Sequence, residues 1–220
     1  MECLVLTEDG NTDMIKSLLE FHNFNLETTA IESYDGKDNI ASAVFLAQKL
    51  KAKSTTIKHI IFHRDRDNEN IGSLKQQINE TIKNHNLKDI STLFITKGYD
   101  MESYFINAEH IEECFPHIKN AQESIDIATK NTDEASKSKL RIAYGERKQY
   151  KEKDPLKMVK RIHKLYDDNP EKYRYGKAVL WELEELITKE IGASEKITLV
   201  EKSSVINIPE FAKAYDKLQL

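Results

Sequence analysis

The sequence predicts an α/β fold, a parallel sheet flanked by helices, with a mainly α-helical C-terminal part. Strand-like and helix-like stretches alternate four times within about the first hundred residues, the pattern of strands joined by crossover helices. Three of the four strands end in acidic residues, which parallel strands would bring to one edge. From about residue 108 the alternation stops and helical patterning takes over.

Leu4-Val5-Leu6-Thr7 is the first strand and runs into Glu8-Asp9-Gly10-Asn11-Thr12-Asp13. Gly10 and Asn11 permit a tight turn, and Thr12 is placed to cap the helix that follows. Met14, Ile15, Leu18 and Leu19 make one apolar stripe on that helix. Asn25 to Ile31 alternates as a second strand, and Tyr34-Asp35-Gly36 turns into a helix over 38–52 with Ile40, Ala43, Val44, Ala47 and Leu50 inward. The third strand, Ile60-Ile61-Phe62-His63-Arg64, runs straight into Asp65-Arg66-Asp67. Ile71, Leu74, Ile78 and Ile82 recur at helical spacing. Ile90 to Thr96 is a fourth strand, with Gly98-Tyr99-Asp100-Met101-Glu102-Ser103-Tyr104-Phe105 at its end.

Beyond it, helices are expected over Ala108 to Phe115, 118–150, 156–166 and 177–191, broken at Pro116, Asp154-Pro155 and Asn169-Pro170. Ile197 to Val200 reads as a last strand and Pro209 opens a short helix. There is no internal repeat. The division expected is a core over 1–107 and a helical, basic region over 108–220.

A charged content of 32% against 39% hydrophobic, with no run of 18 apolar residues, excludes a helical membrane span and points to a folded, soluble chain. Met1-Glu2-Cys3-Leu4 carries no basic leader, so no signal peptide is expected. Cys3 and Cys114 form no CxxC pair and read as free thiols of a cytoplasmic protein. The net charge of −4 hides a split, since residues 137–177 carry +8 and the rest −12.

Residues two apart in an extended segment point the same way, so Asp65 and Asp67 project together from the strand's carboxyl end, where open α/β sheets place ligands. Adjacent carboxylates repel unless a cation lies between them, and oxygen ligands suit Mg²⁺ or Mn²⁺. Glu8, Asp9, Asp13 and Glu102 are the acids that the other strand ends would add, for phosphoryl transfer assisted by metal. Glu8 is favoured as ligand or general base. Each has a bland reading: Asp13 as a first-turn acid favoured by the helix dipole, Asp9 as a turn residue, Glu102 as a solvated helix residue. His63 is expected to face the opposite side of the strand and is left out of the ligand set.

An acid and Gly after the first strand, an acid opening the helix, and Asp-x-Asp after the third strand resemble the Toprim domain of topoisomerases, primases, recombination proteins and OLD-type (overcoming lysogenisation defect) nucleases. Tyr99 to Phe105 resembles the acidic-aromatic segment of OLD-like and small Toprim proteins. The resemblance covers 1–107. The family's Glu-Gly-x-[Ser/Thr]-[Asp/Glu] stands here as Asp9-Gly10-Asn11-Thr12-Asp13, with Glu8 one residue early. By carry-over Asp65 and Asp67 match the metal-binding pair, Glu8 or Asp9 the first acid, and Glu102 the late acid.

The resemblance implies a Toprim-like (Rossmann-like) core and Mg²⁺- or Mn²⁺-dependent hydrolysis of DNA or RNA, tRNA included. It implies an oligomeric anti-phage effector controlled by an ABC-type ATPase partner; the chain has no Walker A motif of its own. The alternatives are an inactive Toprim-fold or receiver-like regulatory module, the latter phosphorylated on Asp65.

The basic stretch carries Arg141, Arg147 and Lys148 with tyrosines interleaved, suiting phosphates and unpaired bases. Its bland reading is a solvated face with the tyrosines in the core. Trp181, with Leu180, Leu183, Leu186 and Ile187, reads as an inward stripe.

Overall fold

The computed structural model describes residues 1–67, 69–146, 154–201 and 203–219. It resolves into two compact units, Met1–Thr96 with Lys202–Leu220, and Lys97–Glu201. The boundary thus falls short of the expected 107/108, and the last helix belongs to the first unit.

The first unit is built on four strands, β1 (Cys3–Thr7), β2 (Thr29–Ser33), β3 (His59–Arg64) and β4 (Ser91–Ile95). They form one all-parallel sheet in the order β2-β1-β3-β4. Helices α1 (Asp13–Phe21), α2 (Ile40–Lys53) and α3 (Ile71–Asn84) connect them. The chain leaves β1 toward β2 on one side and returns to β3 on the other, so the strand order reverses between β1 and β3. In open α/β sheets that switch point opens a crevice beyond the strands' carboxyl ends.

Side chains alternate across the sheet, as the pleat requires. Leu4, Leu6, Ile60, Phe62, Leu93 and Ile95 share one buried cluster with Ala43, Val44 and Ala47 of α2 and with Leu74, Ile78 and Ile82 of α3. Phe94 points the other way and meets Phe211 at 4.8 Å between ring centroids. Phe211 lies on α10 (Pro209–Leu218), which packs on β3 and β4 and covers this second face. The same ring meets His22 and Phe24 just past α1, and His22 Nε2 accepts the Ile208 N–H at 2.8 Å. A sheet buried on both faces needs apolar residues at consecutive positions, which is why β1 and β3 read as continuous apolar runs.

Local details differ from expectation at two points. Thr12 stands at the N-cap of α1 but makes no side-chain cap bond. Asn11 Oδ1 accepts the Asp13 N–H instead, at 2.9 Å. The second strand starts at Thr29, because Leu26 and Asn25 carbonyls take the amides of Thr29 and Thr28 in a turn first.

The second unit is helical: α4 (Ala108–Cys114), α5 (Ala121–Asn131), α6 (Asp133–Glu146), α7 (Pro155–Asp168), α8 (Pro170–Tyr173) and α9 (Gly176–Ile191). The helix expected across 118–150 breaks at Thr132, whose hydroxyl bonds back to the Ala128 carbonyl at 2.8 Å. Ile197 to Val200 is not a strand; Leu199 N–H goes to Glu184 Oε1 at 3.0 Å rather than to a ladder. Asp100 caps α9, its Oδ2 accepting the Lys177 N–H at 3.2 Å. That approach requires Gly176, where a Cβ would sit 1.9 Å from Asp100 Oδ1. A small core joins Tyr99, Leu140, Ile162, Tyr166 and Tyr173, so several of the tyrosines interleaved with the basic residues are packing groups. Trp181, expected inward, is 58% exposed beneath the Lys196 ammonium, while Val179, Leu183 and Ile187 face in. Among the described residues, no helix is long and apolar enough to cross a membrane.

Phe211→Ala should lower unfolding free energy by about 3–5 kcal/mol, since it empties the space between Phe94 and Phe24 in a close-packed interior. Urea unfolding checks it, and a loss of only a few tenths would mean that α10 is peripheral. His59, buried on β3 with its Nε2 2.9 Å from Thr92 Oγ1, has its pKa pushed down to about 4 by burial and then by the Lys217 ammonium. A lowered histidine pKa stabilises the fold above the unfolded value near 6.5 and loses that contribution as pH falls through about 4. Stability should therefore drop by roughly 3 kcal/mol between those limits from this group alone. His59→Gln should flatten the decline in urea midpoints taken across that range.

Candidate functional site

The register of β1 against β3 decides what meets at the switch point. Leu6 lies opposite Phe62. Carried past the strand ends, the same register sets Thr7 against His63, Glu8 against Arg64 and Asp9 against Asp65. Alternation then sorts these residues into two rows, one on each side of the sheet's edge.

The first row holds Thr7, His63, Asp9 and Asp65. Thr7 Oγ1 lies 2.8 Å from His63 Nδ1, and His63 Nε2 lies 3.3 Å from Asp65 Oδ1. Asp9, His63 and Asp65 each offer a ligand atom within 4.8 Å of the others, the one such group among the described residues. Thr7, His63 and Asp65 are buried and Asp9 is half-buried. The His63 ring lies against Phe94, at 5.1 Å between centroids, and the Tyr34 hydroxyl donates to the His63 carbonyl at 2.6 Å. Burial, and then the Glu8 carboxylate, push the Tyr34 phenol pKa far up, so that hydroxyl stays a donor.

The second row is an ion-pair knot. Arg64 Nη1 donates to Glu8 Oε2 at 2.7 Å and also to the Asp65 carbonyl, while Nη2 donates to Glu69 Oε1 at 2.9 Å. Asp67 Oδ2 lies 3.6 Å from Nη1. Glu8 Oε2 also accepts the Asp65 N–H, at 3.0 Å. Burial raises the Glu8 carboxyl pKa, and the Arg64 charge pulls it back only in part. Burial likewise works against the Arg64 charge, but Glu8, Asp67 and Glu69 together hold its pKa above the ordinary value.

The sequence-predicted residues divide accordingly. Asp9 and Asp65 come together. Glu8, favoured as the first acid, lies in the other row on Arg64. Asp67 does not continue Asp65's direction: β3 ends at Arg64, and Asp67 has φ of 52°, so the extended geometry that the i, i+2 argument needs has already stopped. It sits near Arg64 and, at 3.8 Å, Lys37. The Asp13 side chain is 78% exposed and pairs with Lys16 at the start of α1, as a first-turn acid does. Glu102 belongs to the second unit, where Lys177 Nζ lies 3.8 Å from its Oε1. Arg141 is half-buried, 3.6 Å from Glu134. Arg147 and Lys148 lie outside the described residues.

His63 is the residue that the sequence reading left out, on the ground that it faced away. It stands two residues before Asp65, so the strand period itself puts both on one side. Arg64 was also missed. Its signal was a cation at the end of an apolar strand, where burial demands carboxylate partners.

No family model, no curated protein and no solved structure matches the chain.

Arg64→Met should cost about 3–5 kcal/mol, because it strands the Glu8 carboxylate in a buried place. Adding Glu8→Gln should restore part of that loss. A double-mutant cycle by urea unfolding checks the coupling, and additive single effects would mean that the two side chains act separately.

Proposed function

We propose that the protein is a divalent-metal-dependent phosphodiesterase acting on nucleic acid, with its site at the carboxyl ends of β1 and β3. The observation that carries this reading is the convergence of Asp9, His63 and Asp65 at the sheet's switch point. The donor set fits an ion. Asp9 and Asp65 supply hard oxygens whose mutual repulsion a cation relieves, and His63 supplies Nε2. Thr7 Oγ1, 2.8 Å from Nδ1, can accept that nitrogen's proton and hold the ring in the tautomer that leaves Nε2 free to ligate. An imidazole in the set suits Mn²⁺ better than Mg²⁺.

A bound ion would supply Lewis acidity, neutralising a phosphate and lowering the pKa of an attacking water. The remaining work falls to this chain's own residues. Glu8 and Arg64 act as positioning residues, since Glu8 Oε2 holds the Asp65 N–H and Arg64 Nη1 holds the Asp65 carbonyl. Both ends of the Asp65 backbone are thereby fixed. The parallel sheet and the Asp9-Gly10-Asn11-Thr12-Asp13 spacing support a Toprim reading of this core. Asp9 rather than Glu8 is then the first acid. An effector role under an ATPase partner rests on the resemblance alone.

A second reading has its own support. The Glu8 carboxylate and Asp67 are taken up by Arg64, which suits a binding or regulatory module that hydrolyses nothing. Calorimetric titration with Mn²⁺ and Mg²⁺ separates the two, alongside cleavage of supercoiled DNA, single-stranded DNA and tRNA. On the enzyme reading Mn²⁺ binds, and Asp9→Asn and Asp65→Asn each weaken binding about tenfold or more and abolish cleavage, as loss of a metal ligand should. Asp67→Asn and Asp13→Asn leave binding nearly unchanged. No metal binding by the folded protein would favour the regulatory module.

A further inference from the structure

The second unit carries a cleft of about 610 Å³ that the reading above does not use. Lys97, Tyr104, Asp168, Glu171, Lys172 and Arg174 lie in its walls. Its volume is in the range of small-ligand sites.

Arg174 gives the cleft its chemistry. The residue is only 8% exposed. Its Nη2 donates to the Ile106 carbonyl at 3.0 Å, and its buried Nε has no hydrogen-bond partner. No carboxylate forms an ion pair with it among the described residues. Burial works against the guanidinium, and the fields of Glu171 and other acids compensate only in part, so its pKa lies below the usual value. A buried cation is ordinarily matched by an anion at hydrogen-bond distance. Arg64 in the first unit is matched in that way twice, by Glu8 at 2.7 Å and Glu69 at 2.9 Å. Arg174 has no such carboxylate among the described residues, and a phosphate in the cleft would supply the missing anion. The exposed ammoniums of Lys97 and Lys172 line the same cleft and would add to the attraction.

Asp168 and Glu171 make the cleft more selective than a basic patch. They disfavour a bare polyanion and offer acceptors to hydroxyl groups. We propose that the cleft binds a phosphorylated pentose, as the free sugar phosphate or within a mononucleotide, with the phosphate on Arg174, Lys97 and Lys172 and the sugar hydroxyls on Asp168 and Glu171. This does not depend on the metal-site reading, because every residue used belongs to the second unit.

The test is calorimetric titration of the full chain with AMP, ribose 5-phosphate, adenosine and inorganic phosphate. AMP or ribose 5-phosphate should bind saturably, adenosine at least about thirtyfold more weakly, as when one partner of a buried charge pair is removed. Tighter binding of AMP than of ribose 5-phosphate identifies the mononucleotide as the source; equal binding identifies the sugar phosphate. Arg174→Gln should lose about thirtyfold for the same reason. If that variant fails to fold, Lys97→Ala and Lys172→Ala decide, since both side chains are exposed, and each should weaken binding about threefold. Asp65→Asn should bind like the wild type. No binding at millimolar ligand, adenosine binding as well as AMP, inorganic phosphate binding as well as either sugar phosphate, or affinities unmoved by both lysine variants would each overturn the proposal. So would loss of binding in Asp65→Asn, which would put the ligand at the other site.

Discussion

The edge of the sheet depends on one buried cation. Arg64 ends β3 at 2% exposure, where a guanidinium can exist only among carboxylates and carbonyls. Glu8, Glu69 and Asp67 surround it, and they come from two separate segments: the turn after β1 and two positions along the loop after β3. Satisfying that charge therefore ties the β1 turn to the β3 loop. It also fixes which acids remain for anything else. Glu8, Asp67 and Glu69 are spent on Arg64, and Asp9 and Asp65 lie with His63. A buried ion pair of this kind is weak evidence of net stability, since desolvation offsets much of the attraction. Its effect is on geometry, because a knot with three anions has few arrangements that leave none of them stranded.

This sorting gives the two rows different chemistry. In the Arg64 row a guanidinium already sits among the three carboxylates, so a ligand cation there would meet its repulsion. In the His63 row two carboxylates approach an imidazole, the arrangement that offers a cation its ligands. The connection between rows runs through the Asp65 backbone, whose N–H is held by Glu8 and whose carbonyl is held by Arg64. A change in the knot would reach the other row as a rotation of Asp65, with no direct contact needed.

Much of the fold was legible because apolar periodicity and turn residues agreed with each other. The four strands and the helices over 40–53, 71–84, 155–168 and 176–191 stand close to where their apolar patterns put them. The strand-like run at Ile197 misled, since four apolar or β-branched residues in a row look alike whether a partner strand exists or not. At the site, residue types were legible and partners were not. Glu8 looked like the better acid than Asp9 by chemistry, yet strand parity set Glu8 against Arg64 and Asp9 against Asp65, and parity follows from a register that no single strand displays. Asp67 failed differently: the period of two was carried three residues beyond the strand's end, into a position with positive φ. His63 was within reach, because counting by two from Asp65 arrives at it.

The two buried arginines show how a structural charge can be told from one that awaits a ligand. Arg64 and Arg174 are alike in burial and in ending up beside a turn that carries acids. Burial works against both charges, and the balance comes out with opposite sign: Arg64 is held above the ordinary pKa and Arg174 is pulled below it. The difference is distance, not the number of acids nearby. Carboxylates at 2.7 and 2.9 Å replace the water that Arg64 has lost, whereas those around Arg174 act only as a field. A field falls off gently and cannot substitute for the directed bonds of a guanidinium, which has five donors in a fixed plane. Arg64 has used its donors on this chain, so its role ends with holding the edge together. Arg174 stands in the wall of a cleft with its buried Nε unbonded, and on the reading proposed above an anion bound in that cleft would supply the counter-charge.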